Sequence, residues 1–434
     1  MDRASSVRVT AGTRRKSPGL ELVPVGEKPI EPYAEIVGDD VVEEIVERAA
    51  RLKGARVLHI NATAFGGGVA ELLYTLVPLS RSVGLDAEWR LIRGSDDFFH
   101  VTKSAHNGLQ GMEVVWTEHM EEIYLSKLEE NAREWGGEYD FVVCHDPQTA
   151  GLLRLIEEVT GKRPSGQWIW RCHIDLTRPY QPVMDFFRPY ITPFDAHVYT
   201  LDEFVPEGID NKVAIITPCI DPLGSKNLWI SRLTIRSILE GYRIDPDRPI
   251  VCQISRFDPW KDPIGVIDAY RIAKSSHPDL QLILAGSMAS DDPEGWHYFN
   301  AAEEHRAGEA DIFLLTNMQG VGNTQVNAFQ RAADVVIQKS LREGFGLTVS
   351  EALWKETPVI GGNVGGIKLQ VIDGRTGFLV ESPQECGEKL AYLLSRPDEI
   401  ERMGKEGKEH VRKNFLSTNY LLNYLKLFNE LTGV

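Results

Sequence analysis

The chain is poor in cysteine and contains no long apolar run, and each shortage excludes a class of protein. Its 434 residues include five cysteines, an odd number without a Cys-x-x-Cys pair, which argues against a disulfide framework or a cysteine-based metal cluster. Cys386 lies among polar residues and is predicted to be exposed. The other four lie in or beside apolar runs and are predicted to be buried: Cys144, Cys172, Cys219 and Cys252.

No apolar run approaches the ~20 residues needed to span a bilayer, so no membrane helix is expected. Met1 to Lys16 carry basic side chains but lack the apolar core of a signal peptide, which predicts a cytoplasmic protein with a frayed tail or an early hairpin here. The net charge of −16 provides no basic surface for nucleic acid. A nucleotide ligand is not excluded, because helix N-termini and a few local cations suffice to bind a diphosphate.

Short runs rich in Val and Ile alternate with helical periodicity along the whole chain, which predicts parallel sheets with crossover helices. The chain is too long for one ordinary core, so we expect two doubly wound, Rossmann-like α/β domains. The strands predicted in the first half are 56–60, 87–92, 141–144, 168–172, 196–200 and 213–217. Those predicted in the second half are 250–255, 280–285, 312–315, 335–338, 359–360 and 377–380.

Proline and glycine surround a helical stretch between residues 221 and 248, which is the best candidate for a hinge. The predicted limits are an N-terminal domain at 1–225, a hinge at 226–248, a C-terminal domain at 249–415 and a last helix at 416–434. This last helix is expected to pack back on the N-terminal domain. Ligands bind beyond the carboxyl ends of the strands in such sheets, so the active site is expected in the cleft between the domains.

Three consecutive glycines, Gly66 to Gly68, follow the first strand and precede an apolar helix. Glycine lets a ligand approach the backbone, and the amides at the helix start are suited to phosphate. The spacing does not fit the dinucleotide motif G-x-G-x-x-G. The structural alternative is a tight turn that needs glycine for packing.

Two later strands of the first half each end in a histidine followed by an aspartate. The first is the segment His145-Asp146, and the second contains His173 and Asp175. A single histidine is usually structural, but two such clusters at equivalent strand ends favour contact with a substrate. Zinc is a weaker alternative, because no cysteine set or helical ligand spacing accompanies these residues.

The second half begins with a strand that ends at two cations, Arg256 and Lys261. Lys261 precedes a helix predicted to start with Asp262 as N-cap and Pro263 at the first position. Two cations around a rigid turn suit a diphosphate leaving group, because they offset the negative charge that develops as its bond breaks. The alternative is a pair of solvated surface cations.

A later segment places Glu343 in a glycine-rich loop and Glu351 in the helix that follows. The amides of Gly346, Leu347 and Thr348 would be the free donors at the start of that helix. The rest of the helix is apolar, so Glu351 is expected to face a ligand rather than solvent. A second glycine turn, Gly365-Gly366, follows.

In combination these motifs resemble the retaining glycosyltransferases of the GT-B fold, the group that includes sucrose, glycogen and mannosyl transferases. Arg256, Lys261, the 343–351 segment and Gly365-Gly366 carry this resemblance over nearly the whole second half. The first half is more specific, since its triple glycine and the segments 145–148 and 170–175 resemble those of archaeal trehalose glycosyltransferring synthases. Fungal-type trehalose phosphorylases are relatives of that family.

The resemblance implies a role for each matching residue. Glu343 would bind hydroxyls of the donor glucose, Glu351 the ribose diol, and His173 would lie near the reacting carbon. The diphosphate would be bound by Arg256 and Lys261, with help from the helix amides and from Gly67 and Gly68. The base would rest near Leu315 and Asn317, and the acceptor would contact Asp146, Asp175 and Arg178.

The reaction implied by the resemblance joins glucose from a nucleoside-diphosphate-glucose to a second glucose, which makes trehalose. Retention would arise by front-face attack, with the leaving diphosphate taking the acceptor proton, and the reaction would be reversible. No cofactor or bound metal is required, although a divalent cation such as Mg²⁺ would serve as a counter-ion of the diphosphate.

Three alternatives stay open beside this reading: a disaccharide phosphorylase that uses inorganic phosphate, a nucleotide-sugar epimerase, and a sensor that binds without turnover. The Glu343 segment and the triple glycine weigh against the epimerase. The sequence does not distinguish ADP-, UDP- and GDP-glucose, and it leaves a homodimer open.

Overall fold

The computed structural model describes residues 19–65, 67–288 and 293–433, and these ranges contain two separate β-sheets flanked by helices. The predicted tail or hairpin at 1–16 and Gly66 of the triple glycine lie outside the described residues. Within these ranges, no helix is both long enough and apolar enough to cross a membrane.

The first sheet has seven strands in the order β1-β3-β2-β4-β5-β6-β7. All neighbours are parallel except β1, which pairs antiparallel with β3 at one edge. The strands are β1 (Glu21–Leu22), β2 (Arg56–Asn61), β3 (Asp86–Leu91), β4 (Phe141–His145), β5 (Gln167–Arg171), β6 (Ala196–Tyr199) and β7 (Lys212–Ile215).

The second sheet has six strands, all parallel, in the order β10-β9-β8-β11-β12-β13. Its strands are β8 (Ile250–Ile254), β9 (Gln281–Gly286), β10 (Ile312–Thr316), β11 (Val335–Gln338), β12 (Val359–Gly362) and β13 (Gly377–Val380). The strand order reverses direction beside β8, so β8 and β11 flank the point where a doubly wound sheet opens its ligand crevice.

Helices connect the strands and cover both faces of each sheet. Those up to the second sheet are α1 (Ala34–Val37), α2 (Asp39–Ala50), α3 (Gly68–Ser82), α4 (Asp96–Leu109), α5 (Glu118–Arg133), α6 (Asp146–Ala150), α7 (Leu152–Thr160), α8 (Gln181–Ile191) and α9 (Arg232–Gly241). The later ones are α10 (Pro263–Lys274), α11 (Pro293–Arg306), α12 (Asn323–Ala332), α13 (Leu347–Trp354), α14 (Ile367–Gln370), α15 (Pro383–Leu394), α16 (Pro397–Asn414) and α17 (Ser417–Thr432). Short 3₁₀ turns lie at Glu31–Tyr33, Asp202–Phe204, Pro259–Lys261 and Asn317–Gln319.

The predicted fold class is confirmed: each half is a parallel sheet with helices on both faces. All twelve predicted strands are present, with ends that differ by two residues at most. The strand that the sequence did not predict is β1, which has two residues and is therefore too short to show an alternating pattern.

The last helix, α17, lies against α2 and α3 of the first half. Its Phe428 is stacked on Phe141 of β4, with ring centroids 4.2 Å apart. A backbone bridge between Ile220 and Leu416 leads the chain back to this position from the second half. The chain therefore passes between the two halves twice.

The prediction that Cys386 is exposed is wrong. It lies on α15, is fully buried, and packs in the same apolar cluster as Leu390 and Leu393. These three residues follow the i, i+4, i+7 spacing of a buried helix face. The polar neighbours of Cys386 in the sequence lie on the opposite side of the helix. The four other cysteines are buried as predicted, and all five are free thiols.

His197 on β6 is a fully buried histidine, and its Nε2 has no hydrogen-bond partner among the described residues. Burial lowers its pKa from 6.5 to about 4. The unfolded chain therefore binds a proton here between about pH 6.5 and pH 4 while the folded chain does not. This group makes the protein lose stability as the pH falls through that window.

We predict that His197→Phe weakens the acid sensitivity of folding, by up to about 1.4 kcal/mol per pH unit within the window. The free energy of urea unfolding, measured for both proteins at about pH 7, above the window, and at about pH 5, within it, tests this. His119→Phe is the matched control, because the His119 side chain is 79% exposed and folding does not remove it from water. Equal pH dependence in wild type and His197→Phe would contradict the prediction.

A second prediction concerns the contact of α17 with the first sheet. Phe428 is only 3% exposed, so Phe428→Ala is expected to lower the free energy of unfolding by about 3–5 kcal/mol through lost burial and the cavity it leaves. The control is Glu430→Ala on the same helix, which removes an exposed ion pair with Lys212 and is expected to cost less than about 1 kcal/mol. Similar losses in both variants would show that α17 contributes little through its apolar face.

Candidate active site

The carboxyl ends of the two sheets face each other, and glycines form the points of closest approach. A Cβ on Gly344 would collide with the carbonyl oxygen of His173, which follows β5. A Cβ on Gly68 would lie 3.3 Å from Cδ1 of Leu347 in the other half. The motifs predicted from the two halves of the sequence therefore meet across one cleft.

Two helix N-termini converge in this cleft. Helix α3 starts at Gly68 with Gly67 as its N-cap, and α13 starts at Leu347 with Gly346 as its N-cap. Neither glycine supplies a side chain to cap the first amides, and Gly346 has a φ of 83°, in the left-handed region. The first amides of both helices are therefore available to a ligand, and both helix dipoles favour an anion at this place.

Glu343 and Lys261 form an ion pair in the floor of the cleft. Lys261 Nζ lies 2.5 Å from Glu343 Oε2, which also accepts a hydrogen bond from Ser340 Oγ at 3.1 Å. Glu343 is 9% exposed, so the pair is largely shielded from water. The structure thus brings together two residues that the sequence had assigned to different parts of the donor.

The Gly365-Gly366 turn supports the loop that carries Glu343. Gly365 has a φ of 44°, and a Cβ at this position would collide with the carbonyl oxygen of Glu343. The amide of Gly366 donates to that same carbonyl at 3.3 Å. Glycine is therefore required here by contact with the backbone of the site.

The predicted start of α10 is confirmed in detail. Asp262 is its N-cap and accepts a hydrogen bond from the amide of Gly265 at 3.0 Å, and Pro263 occupies the first position. Asp258 caps the short turn before it by accepting from the amide of Lys261. Two consecutive caps fix the backbone that carries Lys261.

Arg256 lies at the surface of the cleft, with about half of its side chain exposed, and forms an ion pair with Asp258 at 3.0 Å. Its charge acts on His106 of α4, a half-buried residue on the opposite wall of the cleft. The pKa of His106 is lowered to about 3, first by burial and next by the charge of Arg256, and Lys261 acts in the same direction. Both predicted diphosphate cations are thus close enough to His106 to lower its pKa.

Glu351 is fully buried and belongs to a cluster that the sequence did not predict. Lys226 Nζ lies 3.3 Å from Glu351 Oε1 and 2.6 Å from Oε2 of Glu71 on α3. Burial alone would lower the pKa of Lys226, but the two carboxylates outweigh it and raise that pKa. Burial and then the charge of Glu351 raise the pKa of Glu71. Lys226 therefore joins one carboxylate from each half of the protein.

The second oxygen of Glu351, Oε2, is buried and has no hydrogen-bond partner among the described residues. A buried carboxylate oxygen without a donor is costly, and native structures usually supply one from protein, water or ligand. Sequence spacing could not reveal Lys226 or Glu71, because 125 and 155 residues separate the members of these pairs.

His173, which follows β5, is partly buried and contacts a second histidine. Its Nε2 lies 3.0 Å from Nδ1 of His145, and Nε2 of His145 lies 3.1 Å from Nδ1 of His59 on β2. Burial lowers the pKa of all three imidazoles, in the case of His59 to about 3. The sequence had singled out the histidines at 145 and 173, but it had not suggested His59 or a direct contact between any of them.

The three predicted acceptor residues lie near His173 and differ in their contacts. Asp146 has a φ of 60°, and its Oδ1 accepts from the amide of His173 at 2.7 Å. Burial raises the pKa of Asp146 to about 6. Asp175 is buried and accepts from the amide of Thr177 at 2.9 Å, while Arg178 is exposed. The two aspartates thus support the loop, and contact with an acceptor stays a prediction for all three.

The predicted site for the base lies at the end of β10. Leu315 is buried there, and the side chain of Asn317 is hydrogen-bonded to the backbone of Met288, at 2.7 Å to its amide and 3.1 Å to its carbonyl. Asn317 thereby joins the ends of β9 and β10. Residues 289–292, which follow Met288, lie outside the described ranges.

No group of three or more His, Cys, Asp or Glu side chains in the described ranges is arranged to bind a metal ion. The histidines near the cleft contact each other through their ring nitrogens.

Family models match both halves of the chain. The model described as "Trehalose synthase, N-terminal domain" matches residues 59–206, and "Glycosyl transferases group 1" matches residues 235–410. The first match includes the histidines described above. The second includes both cations, Glu343 and Glu351.

Similar proteins cover nearly the whole chain. The trehalose synthase of Rubrobacter xylanophilus is 49% identical over 420 residues, which span 96% of this chain and 100% of that protein. The trehalose synthase of Pyrococcus horikoshii is 47% identical over 94% of this chain and 98% of that protein.

Among solved structures, the α,α-trehalose 6-phosphate synthase of Burkholderia multivorans superposes with a TM-score of 0.71. It shares 14% identity and covers 88% of this chain and 97% of that one. At this identity the likeness shows the fold, which is GT-B as the sequence predicted. The full-length identity of the relatives shows more, and the chain belongs to the trehalose synthase family of glycosyltransferases.

Proposed function

We propose that this protein transfers glucose from a nucleoside-diphosphate-glucose to a second glucose and so makes trehalose, with retention of configuration. The observation that carries the proposal is the meeting of the N-termini of α3 and α13 beside the Lys261–Glu343 pair. This arrangement places anion-binding amides from both halves next to a cation and a sugar-binding carboxylate.

The diphosphate of the donor would bind between the two helix starts. Gly67 and Gly68 on one side and Gly346, Leu347 and Thr348 on the other present backbone amides. Arg256 and Lys261 add positive charge on the same side of the cleft. The charge on the departing phosphate increases as the bond to glucose breaks, so these groups stabilise the transition state more than the bound donor.

The glucose of the donor would lie between Glu343 and His173. Gly344, which follows Glu343 in the chain, lies against the backbone of His173, so a sugar beside one of these two residues would be within reach of the other. Binding of the diphosphate to Lys261 would compete with its ion pair and leave Glu343 Oε2 free to accept from sugar hydroxyls.

Glu351 would bind the ribose diol. Its Oε2 lacks a donor, and a diol supplies two hydroxyl donors to a carboxylate. Lys226 holds the other oxygen and links it to Glu71, so ribose binding would also engage the first half of the protein. The base would rest near Leu315 and Asn317.

The acceptor glucose would bind on the His173 side, with Asp146, Asp175 and Arg178 around it. Asp146 and Glu343 already accept hydrogen bonds from His173 and from Lys261 and Ser340. We infer that neither acts as the nucleophile of a double displacement. The acceptor hydroxyl would instead attack from the face that the diphosphate leaves, and a phosphate oxygen would take its proton.

This chemistry uses no resident cofactor, and a divalent cation such as Mg²⁺ enters only as a counter-ion of the diphosphate. Nucleotide preference, the physiological direction and a homodimer are left to measurement. The cytoplasmic location expected from the sequence also stays a prediction.

A direct assay tests the proposal. The protein is incubated with glucose and ADP-, UDP- or GDP-glucose in turn, and the disaccharide and the nucleotide are identified. We expect trehalose and a nucleoside diphosphate in equal amounts from at least one donor, because both products arise from the same bond cleavage. A parallel reaction with trehalose and inorganic phosphate tests the phosphorylase alternative.

If glucose 1-phosphate forms from trehalose and phosphate and no nucleotide-glucose is turned over, the proposal is contradicted and the protein is a phosphorylase. Nucleotide-glucose binding without any product would replace it by the sensor. If the product is a disaccharide other than trehalose, the proposed donor site stands, but the proposal that glucose is the acceptor is contradicted.

We predict that Lys261→Ala lowers kcat by ~10²-fold or more, the scale expected for losing one charge donor to the transition state. Initial rates at saturating donor measure this, and circular dichroism with thermal unfolding checks that the variant folds. Lys408→Ala is the matched control, because Lys408 forms an exposed ion pair with Glu356 at 2.7 Å outside the cleft. Near-normal turnover in a folded Lys261→Ala protein would contradict the assignment.

A further inference from the structure

The three histidines near the cleft come from three neighbouring strands of the first sheet. The strands β2, β4 and β5 are adjacent, and His59 pairs in register with Val143 while His145 pairs with Arg171. His145 therefore lies on the strand next to His59, two residues beyond the register partner of His59. His173 has the same relation to His145, two residues beyond its register partner. Residues two apart on a strand point to the same face, so the three rings form one row.

The row of three histidines runs from the buried interior of the sheet, at His59, to the cleft, at His173. His59 is 1% exposed and contacts the ring edge of Tyr424 on α17, with centroids 6.0 Å apart. His145 is equally buried and lies edge to edge with His173, with ring centroids 5.3 Å apart and ring planes inclined by 14°. Only His173, at the end of the row, is partly exposed.

The nitrogen contacts in the row determine where its hydrogens lie. A neutral imidazole carries one N–H donor and one bare nitrogen acceptor. The contact of His59 Nδ1 with His145 Nε2, at 3.1 Å, and that of His145 Nδ1 with His173 Nε2, at 3.0 Å, each need one hydrogen. Burial lowers the pKa of each ring, which keeps all three neutral at neutral pH.

Only two arrangements satisfy both contacts. In one, His59 donates to His145 and His145 donates to His173, so His173 carries its hydrogen on Nδ1. In the other, every hydrogen bond runs the opposite way, and Nδ1 of His173 is bare. No single ring can change its tautomer without the other two, because a lone change would leave one contact with two hydrogens or none.

We propose that His59 and His145 are positioning residues for His173: the row of hydrogen-bonded rings orients the His173 imidazole and determines whether its Nδ1, the nitrogen outside the row, presents a hydrogen or a lone pair to the sugar. The inference rests on the proposed function, since it takes His173 to be the residue beside the donor glucose. Its new content is that a residue two strands away, His59, sets the hydrogen-bonding character of the site. No proton is transferred to or from the substrate in this role.

The kinetic test uses His59→Phe and His59→Asn. Phe keeps a ring of similar size without a polar atom, whereas Asn is smaller but keeps a polar group near the position of Nδ1. We expect His59→Phe to lower kcat by about tenfold to a hundredfold, the cost of a misplaced catalytic group, with KM for the nucleotide-glucose changed by less than about threefold. His59→Asn is expected to recover part of the loss. The donor is whichever of ADP-, UDP- or GDP-glucose supports turnover.

The matched control is His197→Phe. His197 is also a fully buried, neutral histidine on the next strand, β6, but none of its contacts is with the three rings of the row. Its substitution removes the same atoms from the same sheet and is expected to leave kcat unchanged. Equal kcat in His59→Phe and His197→Phe would overturn the proposal, as would a loss in His59→Phe that only follows its folded fraction.

A measurement on the unaltered protein does not depend on whether a variant folds. With ¹⁵N-labelled histidine in the full chain, which has 11 histidines, nitrogen chemical shifts identify each tautomer, and couplings through hydrogen bonds identify N–H···N pairs. We expect two such couplings that share His145 and a single concerted pattern of tautomers for the three rings. Absence of both couplings, or tautomers that vary independently, would overturn the proposal.

His173→Ala separates this inference from the proposed function. A large loss of kcat in His173→Ala together with normal kcat in His59→Phe removes the positioning role and keeps His173 at the site. Normal kcat in His173→Ala removes the assigned role of His173 itself. Parallel losses of kcat in both variants, with the NMR couplings present in the wild type, support the complete row.

Discussion

The contact between the carboxyl ends of the two sheets is the constraint on which the rest of the site depends. Gly344 touches the carbonyl of His173, and Gly365 touches the carbonyl of Glu343, so three backbone segments from both halves are packed without intervening side chains. A side chain at Gly344 would push its loop away from His173, and one at Gly365 would displace the backbone of Glu343. The glycines therefore matter through the space they leave as much as through the turns they permit.

The sequence predicted the fold well because its signals are local. A parallel strand is a short apolar run, and a helix start is an Asp followed by Pro, so β8 and the Asp262 cap could both be located from neighbouring residues. The motif positions followed from the rule that ligands bind beyond strand ends. Cys386 was wrongly predicted to be exposed because its neighbours in the sequence are polar. The apolar residues that share its buried helix face, Leu390 and Leu393, lie four and seven residues further along α15.

The parts of the site that the sequence did not predict depend on register and on long-range pairing. His59 contacts His145 because β2 and β4 are adjacent and in a particular register, which no single strand discloses. Lys226, in the predicted hinge, lies between Glu71 of the first half and Glu351 of the second, so its position depends on how the two halves pack together. Strand order and the packing of the two halves belong to the tertiary structure. The periodicity of the sequence predicts the strands and helices but neither of these.

The two walls of the cleft differ in charge, and the difference follows from what each is expected to bind. Arg256 and Lys261 carry full charges on the wall of the second half, where a diphosphate would supply the opposite charge. On the wall of the first half, His59 and His145 are almost fully buried, and there an uncompensated charge would cost several kcal/mol. Its histidines are neutral, and neutral imidazoles still offer one donor and one acceptor each, which is what sugar hydroxyls need.

A neutral group has one disadvantage that a charged one lacks: its donor and acceptor positions are interchangeable unless something fixes the tautomer. On the charged wall, the hydrogens of Lys261 and Arg256 leave no such choice. On the neutral wall, the choice is made by a partner, and the partner of His173 is another histidine with the same freedom. In the proposed row this partner, His145, is itself paired with His59, whose ring packs against Tyr424 of α17, so the tautomer of His173 is tied to groups in the core.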